Sequence, residues 1–376
     1  MTQPKALIVV SEDWYFLSHR LPLAQKLKSN GFDVRVICKI THDRKKIEGE
    51  GFSLIPLELD RENFTPLKAL KTVLSLRNIY QKEQADLIIH VALLTSFLGT
   101  FASWFCKSTK ILNMITGFGF LFISQSSKVR VIRNIIKTFF RLFSLSSNTH
   151  IIVQNQDDQK IMAALGFKVG KTLHLIKGSG VDAEKFHPAP QFPKRPVATF
   201  VGRLLWAKGV DEIVKAARLL KDKGRDYKIV LVGDIDPGNP QSATQEHLNN
   251  WKKEGIVEFW GAQSNITEIY QKSTIALLPS WREGLPKSLL EAAACGIPMI
   301  ATDVPGCREI VKHNENGYLV GLKNPIDLAN AIEKLMENPE LCQKFGQAAR
   351  RDIDAELNDQ AILEKTALLI KNILKN

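Results

Sequence analysis

The sequence predicts an α/β protein of two doubly wound domains in tandem, and three observations predict it. Short apolar runs alternate with amphipathic segments almost throughout the 376 residues, the pattern of parallel strands joined by helices. The pattern restarts near residue 197. Between the halves lies His187-Pro-Ala-Pro-Gln-Phe-Pro-Lys-Arg-Pro196, whose four prolines no central element accommodates. The length suits two cores of roughly 150–200 residues each. The expected division is 1–188, 189–357, and a terminal helical stretch over 358–376 that packs back on the first domain or stays with the second.

Taken in order, the first half reads as strands at Ala6–Val10, Val34–Cys38, Ser53–Leu57, Leu87–Val91, Ile111–Ile115, Ile151–Val153 and Leu173–Ile176. Helices are expected between them, at Leu17–Leu27 (apolar at 17, 21, 24 and 27) and Leu67–Ile79. The second half reads as strands at Val197–Val201, Lys228–Val232, Val257–Trp260, Ile275–Leu278, Met299–Ala301 and Tyr318–Val320. Its helices are Val210–Leu220, Ile266–Gln271, Lys287–Ala294 and Ile326–Met336, with a last one at Ala361–Leu374. Ligands bind open parallel sheets at the carboxyl ends of the strands. Two such domains facing a cleft would carry one substrate each.

Composition narrows the class. Hydrophobic content is 44% and charged content 24%, which is globular and not disordered. The five cysteines are dispersed and form no CxxC pair, fitting a reduced chain better than a disulfide framework. The net charge of +12 is either an ordinary basic excess or a sign of phosphorylated substrates, a membrane surface or nucleic acid. No recognised motif accompanies the charge on the nucleic-acid side. Met1–Val10 reads as a buried strand, not a signal peptide. Leu87–Cys106 lacks charged side chains but carries His90, Thr95, Ser96, Gly99, Thr100 and Ser103. It divides into a strand at Asp86–Ala92 and a small-residue helix at Thr95–Phe105, in preference to a membrane span.

The strongest chemical signal is Ser280-Trp-Arg-Glu-Gly-Leu-Pro-Lys-Ser-Leu-Leu-Glu291, which follows an apolar strand. Pro286 is expected as the first helical residue, and Gly296 and Pro298 end the helix. A helix N-terminus beside Gly284 offers N–H groups and a positive dipole end to a diphosphate. Glu283 and Glu291 bracket it, about 12 Å apart at most along a helix axis. Each carboxylate is able to accept hydrogen bonds from one sugar ring; otherwise they are one loop and one solvated helix glutamate. The second signal is Val201-Gly-Arg-Leu-Leu-Trp-Ala-Lys-Gly209, between a strand and a helix. Arg203 and Lys208 would stabilise a departing diphosphate that gains charge, and the loop glycines, Gly202 among them, let the backbone approach it. A basic strand-to-helix loop is by itself common.

Together these residues make the chain resemble the family-4 glycosyltransferases. Gly180-Val-Asp-Ala-Glu-Lys-Phe186, the Leu231-Val-Gly-Asp strand end and Ala301-Thr-Asp-Val-Pro-Gly306 support the resemblance over nearly the whole chain. It implies the GT-B fold, two Rossmann-like domains, retention of anomeric configuration and no essential metal or other cofactor. It implies that Arg203 and Lys208 bind the donor phosphates, Glu283 the donor hexose and Glu291 the ribose hydroxyls, with backbone groups at Gly284 and Leu285 assisting. Arg203, Lys208 and Glu283 are then the catalytic group.

Ser11-Glu-Asp-Trp-Tyr-Phe-Leu-Ser-His-Arg20 and Ile115-Thr-Gly-Phe-Gly-Phe-Leu121 resemble the corresponding segments of enzymes that extend polyprenol-diphosphate sugars for O-antigen, capsule or protein-linked glycans. That implies acceptor-side roles for His19, Arg20, Thr116 and Gly117; the other reading of His19 is a helix-packing residue. The Gly-Gly pair frequent in the first loop of the wider family is missing here, so no first-domain donor contact is assigned. Lys128, Arg130, Arg133, Lys137 and Arg141 alternate with apolar and aromatic residues. This is the make-up of a membrane-surface helix or of a core-facing helix with a solvated basic face.

Asp234-Ile-Asp236 and Asp352-Ile-Asp354 match a metal-binding spacing of another glycosyltransferase fold, but the first lies in a loop and the second in a polar helix, so neither is read as a metal site. His174, His247 and His313 show no ligand spacing. The leading expectation is front-face transfer to a lipid-linked glycan at the inner face of the plasma membrane, and the resemblance implies a hexose or N-acetylhexosamine carried by UDP ahead of GDP or ADP. A nucleotide-sugar epimerase would consume donor without acceptor. A non-catalytic binding protein would hold the donor without turnover.

Overall fold

The computed structural model describes residues 3–59, 65–106, 108–119, 126–190 and 196–375. The chain divides into two compact units, 1–179 with 362–376, and 180–361. In the first unit, seven strands form one parallel sheet: β1 Lys5–Glu12, β2 Asp33–Lys39, β3 Ser53–Pro56, β4 Leu87–Val91, β5 Lys110–Ile115, β6 Thr149–Val153 and β7 Leu173–Leu175. Their order is β3-β2-β1-β4-β5-β6-β7, so the direction of winding reverses between β1 and β4. β1 is apolar on both sides because both sides are covered. Ala6, Ile8 and Val10 join one core cluster and Leu7 and Val9 another.

The helices on this sheet, among the described residues ahead of the C-terminal one, are α1 Asp13–His19, α2 Leu21–Ser29, α3 Arg44–Gly49, α4 Pro66–Glu83, α5 Leu93–Ala102, α6 Ser127–Phe143 and α7 Gln156–Ala164. The single helix expected over 17–27 is two. Pro22 has no N–H to continue a helix and is tolerated only in a first turn. The chain therefore breaks at Arg20, with φ −127° and ψ −10°, and restarts with Pro22 in the first turn of α2. The uncharged stretch 87–106 is β4, α5 and a 3₁₀ turn at Ser103–Phe105. No helix among the described residues is long and apolar enough to cross a membrane.

The second unit has a six-stranded parallel sheet ordered β10-β9-β8-β11-β12-β13. The strands are β8 Val197–Val201, β9 Lys228–Val232, β10 Glu258–Gly261, β11 Ile275–Leu278, β12 Met299–Thr302 and β13 Gly317–Val320. The helices are α8 Val210–Asp222, α9 Gln245–Glu254, α10 Ile266–Gln271, α11 Lys287–Ala294, α12 Pro325–Met336 and α13 Pro339–Asp352. Here the winding reverses between β8 and β11, the two strands that lead into the predicted loops.

The units part at 179/180, ahead of the proline-rich stretch, where the division at 188/189 was expected. Residues 180–190 are stitched to the second unit. Val181 and Phe186 lie in its core, Val181 N–H donates to Leu357 O, and Arg350 donates to Phe186 O and Ala183 O. Residues 191–195 of that stretch lie outside the described ones. The last helix, α14 Asp359–Lys375, places Ile362, Ile370 and Ile373 in the cluster with Ala6 and Ile8, so the first unit owns most of it.

Candidate functional site

β8 and β11 are neighbours, paired through Phe200 and Leu277. Their carboxyl ends therefore release two loops side by side, 202–209 and 279–286. The loops touch along the backbone: Trp281 N–H donates to Ala207 O at 2.9 Å. At Gly209, φ is +79° and a β-carbon would stand 2.2 Å from Pro279 O, so only glycine fits. The flanking strands add two more loops. A β-carbon on Gly233, after β9, would lie 2.0 Å from Gly202 O. One on Gly306, after β12, would lie 2.7 Å from Glu283 and Gly284 backbone atoms, and Glu283 N–H donates to Pro305 O.

This scaffold brings Lys208 and Glu283 into contact at 2.6 Å. Ser280 Oγ donates to the same carboxylate oxygen at 2.7 Å. Trp281 Nε1 donates to Glu212 Oε1, and the Lys323 ammonium lies 3.7 Å from the centre of its ring. Pro286 caps α11 and does not open it: its φ and ψ are −73° and +118°, and the helix begins at Lys287 with no side chain capping its N-terminus. Leu285 packs against the core of the unit.

Glu291, the fifth residue of α11, is buried at 9% exposure. Burial pushes its carboxyl up to about 7, against the pull of Lys287 and Lys185. Lys287 Nζ lies 3.9 Å away, one turn earlier on the helix. The Arg203 guanidinium pairs at 2.8 Å with Oδ2 of Asp236, which follows β9. Sequence reasoning assigned no role to Ser280, Asp236 or Pro305-Gly306. The signal at 306 was a glycine after a strand, which only the packing of two loops makes informative.

The Asp-x-Asp pairs have other partners. Asp234 Oδ1 accepts from Ala262 N–H, Asp352 from Lys312 and Asn316, and Asp354 from Arg350. Asp352 ends α13, and Asp354 sits in the π-helical segment Ile353–Leu357 that continues it. His247 completes a capping box with Thr244. His313 accepts from Leu319 N–H, and His174 stacks on His150.

In the first unit, Asp13 is buried at the start of α1. It accepts from the N–H groups of Trp14, Thr41, His42 and Asp43 and from the Thr41 hydroxyl. Burial raises its pKa, but those hydrogen bonds outweigh it and hold the carboxyl at about 2. His19 is half-buried, stacked 4.4 Å from Tyr15 and 2.7 Å from Ser18 Oγ. Arg20 is 3% exposed and its Nε has no partner. Thr116 and Gly117, half-buried, follow β5, with φ +130° at Gly117. Phe120 and Leu121 of that loop lie outside the described residues. α6 buries Ile136, Phe139, Phe140 and Phe143, exposes Arg130 and Arg141, and half-buries Arg133 and Lys137. The Lys128 side chain lies outside the described residues.

Two family models match the chain: "Glycosyl transferases group 1" over residues 182–352 and "Glycosyl transferase 4-like" over residues 5–155. The chain is 30% identical over 382 aligned positions to the N,N'-diacetylbacillosaminyl-diphospho-undecaprenol alpha-1,3-N-acetylgalactosaminyltransferase of Campylobacter jejuni, covering 96% of this chain and 99% of that one. It is 25% identical to the UDP-Gal:alpha-D-GlcNAc-diphosphoundecaprenol alpha-1,3-galactosyltransferase of Escherichia coli, covering 84% of this chain and 83% of that one. Among solved structures it resembles a Rickettsia africae glycosyltransferase, with TM-score 0.75, 21% identity and full coverage of both chains. It also resembles Anabaena HepE in complex with UDP and glucose, with TM-score 0.76, 17% identity and coverage of 98% and 99%. The structural likenesses bear on the fold alone.

Proposed function

We propose the reaction from this premise: the chain belongs to the group 1 glycosyl transferases and is a glycosyltransferase of the GT-B fold. Its donor is a nucleotide-diphosphate sugar, UDP carrying a hexose or N-acetylhexosamine. Its acceptor is a polyprenol-diphosphate-linked glycan at the cytoplasmic membrane surface, and the anomeric configuration is retained without a metal. The observation that carries this reading is the Lys208–Glu283 pair at the carboxyl ends of β8 and β11. There the winding reverses, which is where open α/β sheets take their ligands.

In this reading the donor diphosphate lies against the start of α11, where the dipole and N–H groups favour an anion. Lys208 moves from Glu283 to the phosphates, and Arg203 moves from Asp236 to join it. Glu283 then accepts from hexose hydroxyls and Glu291 from the ribose. As the bond to the sugar breaks, the two cations meet the charge growing on the leaving group. The acceptor hydroxyl attacks from the same face, and its proton passes to the departing phosphate oxygen. Arg20 takes the acceptor diphosphate, assisted by His19, Thr116 and Gly117. A buried guanidinium cannot shed its charge and is costly to leave unpaired. The basic residues of α6, Lys128 among them, hold the enzyme at the anionic membrane.

The relatives' printed substrates, undecaprenol-diphosphate sugars in both transferases, support this choice of acceptor. The test pairs a thermal-shift screen of nucleotide sugars with a transfer assay on a short-chain polyprenol-diphosphate sugar. A stabilising UDP-sugar that is then transferred supports the reading. A donor consumed equally without acceptor refutes transfer.

A further inference from the structure

Helix α6 has a wider apolar arc than the core of its unit uses. At roughly 100° per residue, Ile136, Phe139, Phe140 and Phe143 form the seam that is buried. Val131, Ile135 and Leu142 continue that arc on one flank and are more than half exposed. Arg130, Arg133, Lys137 and Arg141 lie on the other flank. A second element enlarges the exposed strip. Phe101, in the last turn of α5, lies 6.0 Å from Phe139, and Trp104, in the following 3₁₀ turn, meets Phe143 edge-on at 4.9 Å. Their outer sides stay in solvent, at 49% and 51% exposure.

Five large apolar side chains exposed on three neighbouring elements exceed the scattered singles of an ordinary surface. The charge around it is one-sided. No Asp or Glu stands anywhere between Asp86 and Asp157, and every charged side chain in that stretch is Lys or Arg.

We infer that this strip, with Phe101 and Trp104 as its aromatic edge, enters the interfacial layer of an anionic lipid bilayer while the basic flank of α6 meets the headgroups. The inference rests on the membrane reading above and adds to it. Charge alone gives reversible attraction that salt screens. Buried apolar surface gives binding that survives salt. Tryptophan suits the edge, its ring apolar and its N–H able to stay with the headgroups.

The experiment is flotation of the full chain with phosphatidylcholine vesicles, with and without phosphatidylglycerol, at low and high salt. The variants are Phe101→Ser/Trp104→Ser and Arg130→Glu/Arg141→Glu, each checked by thermal melting. Wild type is expected to float with the anionic vesicles at both salts. The aromatic variant is expected to lose about tenfold in affinity, most visibly at high salt, and the charge variant to lose binding mainly at low salt. Because Trp104 also packs on Phe143, a Trp104→Phe variant that keeps the fold gives a second readout. Quenching of tryptophan fluorescence by bromine-labelled acyl chains must fall in it.

Wild-type flotation that high salt abolishes, or an aromatic variant that floats like wild type, overturns the inference and leaves attraction by charge standing. Wild type that floats with no vesicle overturns the membrane reading itself. A wild-type dimer that the aromatic variant dissociates assigns the strip to a second copy of the chain and overturns the inference too.

Discussion

Lys208 Nζ lies 2.6 Å from Glu283 Oε1, and that same oxygen accepts from Ser280 Oγ at 2.7 Å. The cation proposed for the donor phosphate and the carboxylate proposed for the donor sugar hold one another in the free enzyme. Removing either breaks this pair, so their effects overlap. Glu283→Ala and Lys208→Ala are each expected to lower kcat/KM by about two orders of magnitude or more with unchanged far-ultraviolet circular dichroism. The double variant is expected to be little worse than the poorer single one. Strictly multiplicative losses would show that the two act independently.

The loops at this site are held by backbone in contact with backbone. Gly209 has φ +79° and no room for a β-carbon against Pro279 O. Gly209→Ala is expected to cost about 2 kcal/mol or more from strain and displacement together. The mid-loop change Ala207→Gly, in the same segment, serves as control. Chemical denaturation measures the difference, and an equal melt for Gly209→Ala and wild type would refute the close approach.

The succession of strands along the chain and the site loops were legible because buried parallel strands are short apolar runs whose ends are marked by Gly and Pro. Every expected strand appears, with shifts of one or two residues at the ends. The break at Arg20 was legible in Pro22 but hidden by an apolar spacing that runs straight through it. Helix α9 was not legible: its sequence Gln-Glu-His-Leu-Asn-Asn-Trp-Lys-Lys-Glu buries only Trp251, too little for an apolar period. The domain boundary was misplaced because prolines mark irregular chain, whereas the boundary depends on what Val181 and Phe186 pack against. The turn of Arg203 to Asp236 was beyond sequence, since it depends on two loops meeting across adjacent strands.

Asp13 ties the start of α1 to the segment Thr41–Asp43 through backbone N–H groups. Its folded pKa, about 2, lies below the ordinary 3.8. The ionised form therefore adds stability that is fully present above 3.8 and lost as pH falls through about 2. Asp13→Asn keeps one acceptor oxygen and loses the charge, and is expected to cost about 2 kcal/mol at neutral pH. Urea titrations of both proteins should show the gap narrowing below about pH 4. A gap independent of pH would mean that the carboxylate charge contributes nothing.

Arg20 is buried, with its Nε unpartnered. Replacing a buried charge by an apolar side chain of similar length is neutral or stabilising when the charge holds nothing in the fold. Arg20→Met is therefore expected to melt at the same temperature as wild type or higher, while KM for the lipid-diphosphate acceptor rises about tenfold or more and donor KM holds. A lowered melting temperature with unchanged acceptor KM would make Arg20 a structural residue.

Glu291 gives a pH dependence of opposite sign to Asp13. Burial holds its carboxyl near 7, above the ordinary 4.5. The folded protein keeps a proton that the unfolded chain releases between those values, so this group adds stability as pH falls from about 7 toward 4.5 and withdraws it above 7. Donor binding runs the other way, since the ionised carboxylate is the better acceptor for ribose hydroxyls. Because kcat/KM reports the free enzyme, kcat/KM for the donor is expected to fall on the acid side of about pH 7 while kcat stays level. In Glu291→Gln the acid limb should vanish, with donor KM raised about tenfold at pH 8 and the melting temperature at that pH raised as well. An acid limb that persists unchanged in Glu291→Gln would assign it to another group and remove Glu291 from the donor site.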